Sequence, residues 1–206
     1  MTYWQQYVQA HDRALVGLEV TDAAGGGMDP DTGFARWCEW TASVQDGGRQ
    51  QFLVGNGASA SFANHMALDW TKNGGVPTQS VANPAVLTAL GNDLGFDEVF
   101  AVALGWYGRS GDLLVTISSS GNSPNILRAI EKGREIGTRV VTLSGLRPDN
   151  ASRRLGDLNF YIPAKTYGIV ECAHQVLLHL WLDRFMGIAE WKKTEEQNMR
   201  RGEFRL

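Results

Sequence analysis

His65 and Asp69 stand four residues apart, and Glu171, Gln175 and His179 repeat that interval much later in the chain. On a helix this interval puts side chains on one face, one turn apart. His65 and Asp69 would then offer an imidazole and a carboxylate to the same space. Such a pair can move a proton, or it can be an ordinary surface ion pair. At about 100° per residue, Glu171, Gln175 and His179 fall within roughly 80° of one another, whereas His174 lies about 140° from His179. The rest of that segment (Val170, Ala173, Val176, Leu177, Leu178, Leu180, Trp181) is mostly apolar. A Glu–Gln–His stripe on such a helix is costly unless paired or used. His179 is therefore the site candidate, and His174 is expected in the core or at an interface.

A different chemistry is written at residues 113–125, LLVTISSSGNSPN. An apolar, β-branched run ends in Ser118, Ser119, Ser120 and Gly121, and Asn122, Ser123 and Pro124 open a helical pattern. A serine-rich turn between strand and helix offers hydroxyls and free backbone N–H groups at the positive helix end, which suits a phosphate. Neither a P-loop nor a G-x-G-x-x-G fingerprint is present, so no nucleotide is expected. One serine could be a plain helix cap, but three consecutive serines with Gly121 and Ser123 exceed what a cap needs. A second small-residue turn, Gly55, Asn56, Gly57, Ala58 and Ser59, follows the run QFLV. In an open parallel sheet both turns lie at the carboxyl edge, where Ser59 could join the later serines on one ligand. Hydroxyls and amides without Arg or Lys suit a phosphate monoester.

These turns need a sheet to hold them. Strands are predicted at 51–54, 76–81, 113–117, 138–143 and 158–162. Helices are predicted at 60–71, 84–90, 97–106, with Asp97 as cap, 124–136 and 168–187. Between the second and third of these strands, Gly91, Asn92, Asp93, Leu94 and Gly95 read as a loop. Alternating strands and helices predict an α/β three-layer sandwich with a parallel, doubly wound, five-stranded sheet. Two aromatic-rich helices, 2–21 and 30–44, precede it and should pack on the main domain or on another subunit. The expected units are a helical extension at 1–45, the α/β domain at 46–188 and a charged tail at 189–206.

With 206 residues, 43% of them hydrophobic, the chain can build a normal core. A net charge of −3 with no basic face argues against nucleic acid. Cys38 and Cys172, each beside large apolar residues, read as buried thiols in a reducing compartment. No secretory leader pattern and no apolar run of membrane-spanning length occur, so a cytoplasmic protein is expected.

The stretches GNGASASFANH at 55–65, GND at 91–93 and ISSSGNS at 117–123 resemble the sugar isomerase (SIS) domain family. Within it the chain is most similar to the branch that interconverts a seven-carbon ketose phosphate with its aldose. The resemblance covers about residues 30–187. It implies the α/β sandwich with leading helices, homotetramers with sites between subunits, and a sugar-phosphate substrate. It assigns substrate contacts to Asn56, Gly57, Ala58 and Ser59, to Asn92 and Asp93, and to Ser118, Ser119, Ser120 and Ser123. It makes His65 and His179 metal-binding histidines, with His179 also catalytic. Asp69 stands where the family has its catalytic glutamate, and Glu171 where it has a glutamine that meets the substrate. The Asp-Arg pair the family carries just before that position is missing. Asp69 is one methylene shorter than glutamate, which withdraws its carboxylate by roughly 1.5 Å. His65, Asp69, Glu171 and His179 make a two-histidine, two-carboxylate set able to bind zinc or a similar divalent ion.

Overall fold

The computed structural model describes residues 1–191. Most of the predicted 189–206 tail lies outside the described residues. Thr2 opens helix α1 (Tyr3–Val16) with a capping box closed by Gln5. The chain does not stay helical to residue 21. It turns at Gly17 and forms a small hairpin, β1 (Glu19–Asp22) and β2 (Gly27–Met28). The Asp22 carboxylate accepts from the amides of Ala24 and Gly26 and shapes that turn. Asp29 then caps α2 (Pro30–Asp46), with Pro30 at the first helical position.

The remaining elements alternate as expected. They are β3 (Gln51–Gly55), α3 (Ala58–Lys72), β4 (Thr78–Ser80), α4 (Pro84–Asp93), α5 (Val99–Tyr107), β5 (Leu113–Ser118), α6 (Pro124–Ile136), β6 (Arg139–Ser144), α7 (Ser152–Leu155), β7 (Leu158–Tyr161) and α8 (Tyr167–Phe185). The sheet order is β2-β1-β7-β6-β5-β3-β4, with β3 to β7 all parallel. β1 runs antiparallel to β7 and to β2. The sheet therefore has seven strands rather than five. The two extra strands span only four and two residues, too short to show a period of two.

From β3 the chain crosses to β4 on one side and then returns to β5 on the other. The winding thus reverses between β3 and β5, and the crevice at their carboxyl ends is where open α/β sheets bind ligands. Both small-residue turns leave the sheet at this point.

Each face of the sheet carries its own apolar cluster. On one face Trp37 of α2, Trp70 of α3 and Trp181 of α8 are fully buried. Trp181 stacks on Trp37 and tilts against Trp70, with centroids 4.1 Å away in both cases. Its Nε1–H donates to Thr41 Oγ1 at 3.0 Å. Helix α2 therefore packs inside its own domain. Helix α1 packs on α8 less deeply: Ala14 is its one buried residue and Leu15 is partly buried against the core, while Tyr3 and Trp4 are 84% and 71% exposed.

Several local expectations change. Helix α4 continues through Asn92 and Asp93, which were expected in a loop. Asp97 does not cap α5; it sits in a short 3₁₀ turn, Phe96–Glu98, and α5 starts at Val99. Cys38 is partly buried, and burial pushes its thiol up to about 11. Cys172 is exposed instead of buried, because it shares the outer face of α8 with exposed Val176, one turn on. Among the described residues no helix is long and apolar enough to cross a membrane.

His174 is fully buried, as its position on the wheel implied, and its Nε2–H donates to the Ser144 carbonyl at 3.2 Å. Burial depresses its pKa from 6.5 to about 4. Below pH 6.5 the unfolded chain binds a proton that the native ring refuses, so stability falls as pH drops towards 4. Urea titrations should show about 2 kcal/mol less stability at pH 5 than at pH 7.5 from this residue. His174→Gln, which cannot titrate, should flatten that part of the curve.

Candidate functional site

β5 ends at Ser118 and α6 begins at Pro124, so residues 119–123 form the turn at the crevice. Ser123 occupies the N-cap position but makes no side-chain cap bond. Its hydroxyl lies 3.5 Å from that of Ser118. The Ser119 hydroxyl is buried without a partner among the described residues, and Ser120 Oγ accepts from the Asn122 amide at 3.2 Å. The plain helix-cap reading of Ser123 thus fails, and the turn holds hydroxyls that the fold does not consume.

Gly121 gives the turn its shape at φ +63°. A Cβ there would lie 2.1 Å from Asn150 Oδ1. Asn150 is itself clamped, donating to Ser144 Oγ and the Arg147 carbonyl and accepting from the Arg153 amide.

Across the crevice, Gly55 ends β3 and Gly57 turns the chain at φ +55° into α3. A Cβ on Gly55 would stand 2.7 Å from the Ser59 backbone, so this glycine lets α3 start close to the strand. Ser59 is buried in the first turn of α3. Asn56 and Asn125 exchange reciprocal amide hydrogen bonds, both 2.9 Å. This pair ties the two turns together over the crevice. Asn92 and Asp93 are exposed at the end of α4, and their side chains bond to each other at 2.8 Å.

His65 and Asp69 lie farther down α3. His65 Nε2 is 3.2 Å from Asp69 Oδ2. His179 of α8 brings its ring to 5.4 Å from that of His65, centroid to centroid. One ligand atom from each of His65, Asp69 and His179 lies within 4.8 Å of the others. The buried Trp70–Trp181 contact, beside Asp69 on α3 and two residues past His179 on α8, sets the helix spacing that closes this group. Glu171 is not in it. Eight residues before His179, it stands roughly 12 Å away along the helix axis. Within the stripe it is Gln175 that meets His179, Nε2 to Nε2 at 2.7 Å.

Three contributors escaped the sequence reading, and a fourth was seen without a role. Asp183 continues the stripe one turn past His179, and the same four-residue interval could have found it. Burial raises its carboxyl pKa, and the charge of His179 opposes that rise. Asn125, two residues beyond Ser123, gave only proximity as a signal. Asn150 gave none. Gln175 was placed on the stripe with no task.

The family model for the SIS domain matches residues 34–145. The phosphoheptose isomerase of Rhodospirillum rubrum is 37% identical over 146 residues, 68% of this chain and 77% of that protein. The phosphoheptose isomerase of Fusobacterium nucleatum is 31% identical over 147 residues, 69% of this chain and 75% of that one. Among solved structures, the phosphoheptose isomerase of Neisseria gonorrhoeae superposes with a TM-score of 0.77 at 25% identity, covering 90% of this chain and 96% of that one.

The chain belongs to the SIS domain family.

In this SIS domain the serine turn tests directly through Gly121. Gly121→Ala forces a side chain into left-handed backbone and against Asn150. It should cost about 1–3 kcal/mol, measured by urea unfolding. It should also weaken inorganic phosphate binding, measured by calorimetry. Unchanged phosphate affinity would remove the turn from the site.

Proposed function

We propose that this SIS domain is an aldose–ketose isomerase that converts sedoheptulose 7-phosphate to D-glycero-D-manno-heptose 7-phosphate. The observation that carries the reading is the His65–Asp69–His179 group. It places a carboxylate and an imidazole from two helices together, in a chain whose relatives include phosphoheptose isomerases. His65 lies about 10 Å down the helix axis from the first residue of α3. A long phosphorylated chain suits that separation, anchored at one end and worked on at the other.

Ser118, Ser119, Ser120 and Ser123 hold the phosphate. Asn56, Gly57, Ala58 and Ser59, with Asn92, Asp93 and Glu171, line the rest of the path. Asp69 takes the proton from the hydroxyl-bearing carbon beside the carbonyl. The C–H electron pair forms the enediol double bond, and His179 gives a proton to the carbonyl oxygen. Return of a proton to the former carbonyl carbon, and loss of the hydroxyl proton from the oxygen on the carbon that was first deprotonated, complete the transfer.

Three N and O ligand atoms so close together fit a divalent ion such as zinc, whose catalytic sites use three protein ligands and keep one position open. Bound there, the ion would polarise the carbonyl oxygen. The assembly we propose is a homotetramer with sites between subunits. The exposed Tyr3 and Trp4 of α1, and exposed Leu68 and Val176 on the helices that carry the group, support it. The free cysteines fit a cytoplasmic location.

The test is incubation with a panel of five- to seven-carbon sugar phosphates, with and without chelator. Preferential turnover of sedoheptulose 7-phosphate is expected. Turnover of a different member reassigns the substrate. No turnover of any leaves a phosphosugar-binding protein.

A further inference from the structure

The serine turn at 118–123 is held from behind by the chain that follows β6. An anion needs donors facing it, and a carbonyl oxygen left free in the turn would repel it. Three such oxygens are occupied. The Gly145 amide donates to the Ser119 carbonyl at 3.0 Å, and the Ser152 amide donates to the Gly121 carbonyl at 2.8 Å. The Ala151 amide donates to the side-chain oxygen of Asn122 at 2.9 Å. All three donors lie within residues 145–152, and Asn150 gives that loop its shape.

Asn150 is 1% exposed. Its Nδ2 donates to the Arg147 carbonyl at 2.8 Å and to Ser144 Oγ at 3.2 Å, and its Oδ1 accepts from the Arg153 amide at 3.0 Å. A backbone carbonyl only accepts and a backbone N–H only donates, so these partners fix which end of the side chain is which. The loop needs holding, because Leu146 stands at φ +56°, a backbone conformation that leucine rarely adopts. The same Asn150 side chain lies directly behind Gly121, where a Cβ would come within 2.1 Å of Oδ1 and 2.8 Å of the Asn150 Cβ.

We propose that Asn150 is a positioning residue for the phosphate. It keeps residues 145–152 bonded to the carbonyl oxygens of the serine turn, which leaves the turn's hydroxyls for the ligand. It acts through Gly121 and the loop amides, so it sets affinity for the phosphate end and not the rate of proton transfer. The proposal rests on the reading of the serine turn as the phosphate anchor, and on nothing at His65, Asp69 or His179.

The test uses the full chain, with inorganic phosphate as the probe in calorimetric titrations. Asn150→Ala should bind phosphate about tenfold more weakly than wild type, roughly the loss of one hydrogen bond to a charged group. On sedoheptulose 7-phosphate its KM should rise by a similar factor while kcat falls far less. Asn150→Ser, a milder change that keeps one donor, should fall between the two and replaces Asn150→Ala where that variant does not fold. Urea unfolding sets the conditions under which every variant is folded. Truncation to alanine opens the worst contact of a Cβ at 121 from 2.1 Å to 2.8 Å. Gly121→Ala should therefore lose less phosphate affinity in the Asn150→Ala background than in wild type, a coupling that a merely stabilising side chain would not show. Phosphate affinity unchanged in the Asn150 variants overturns the proposal, as does strict additivity with Gly121→Ala, as does a wild type that binds no phosphate. The expected affinities in a protein that turns over no sugar phosphate would sustain this proposal and remove the isomerase reading. Turnover with a KM indifferent to Asn150 would do the reverse.

Discussion

Asp69→Asn and His179→Gln should each lower kcat on sedoheptulose 7-phosphate by about 100- to 10,000-fold, the range for losing a general acid or base. The two groups meet from different helices, α3 and α8, and nothing else in the His65–Asp69–His179 group can stand in for both. Asparagine keeps the shape of Asp69 and removes its ability to take a proton. Glutamine keeps a polar side chain at 179 without a titrating ring. The serine turn is untouched in both, so KM should change far less than kcat. Combining the two should cost little beyond the worse single change, because the groups act in one transfer. Steady-state rates on the purified variants measure this. Rates near wild type in both would take the group out of the chemistry.

Trp181→Ala should cost about 3–5 kcal/mol of stability, the usual range for truncating a buried aromatic residue. Trp181 is fully buried between Trp37 and Trp70. The loss reaches the site as well, since this stack sets the distance between α3 and α8. Activity should fall under conditions where the variant is still folded. Trp181→Phe keeps an aromatic ring in the stack and loses the hydrogen bond to Thr41. It should cost less, with about 1 kcal/mol coming from that bond, and retain most of the activity. Denaturant titrations and rates on the same samples separate the two effects. If Trp181→Ala unfolds no more readily than Trp181→Phe, the stack is not what holds the helices at this spacing.

The parallel core of the sheet was legible because β3, β5 and β6 are continuous apolar runs bounded by small-residue turns. A strand buried on both faces must read that way. The hairpin at 19–28 was not legible. Its strands are short, and β1 pairs with β7, which lies more than a hundred residues away. Asn92 and Asp93 were taken for loop residues because glycines flank them, yet α4 runs through both.

At the site, spacing alone put His65 with Asp69, set Gln175 and His179 on one stripe and turned His174 inward. A helix has a fixed period, so faces follow from position. The serine turn was equally plain, since hydroxyls and Gly121 sit between a strand and a helix in consecutive residues. Which helices meet was beyond the reach of any period. The approach of His179 to His65 depends on three tryptophans from α2, α3 and α8 packing into one stack. Within α8 the period alone leaves Glu171 roughly two turns from His179 and puts Gln175 beside it, whereas contacts between elements arise from packing. The reciprocal Asn56–Asn125 bond and the Asn150 wall behind Gly121 arise the same way. Local spacing selects the groups that a helix or turn presents, while the burial of large side chains between elements selects which of those groups touch.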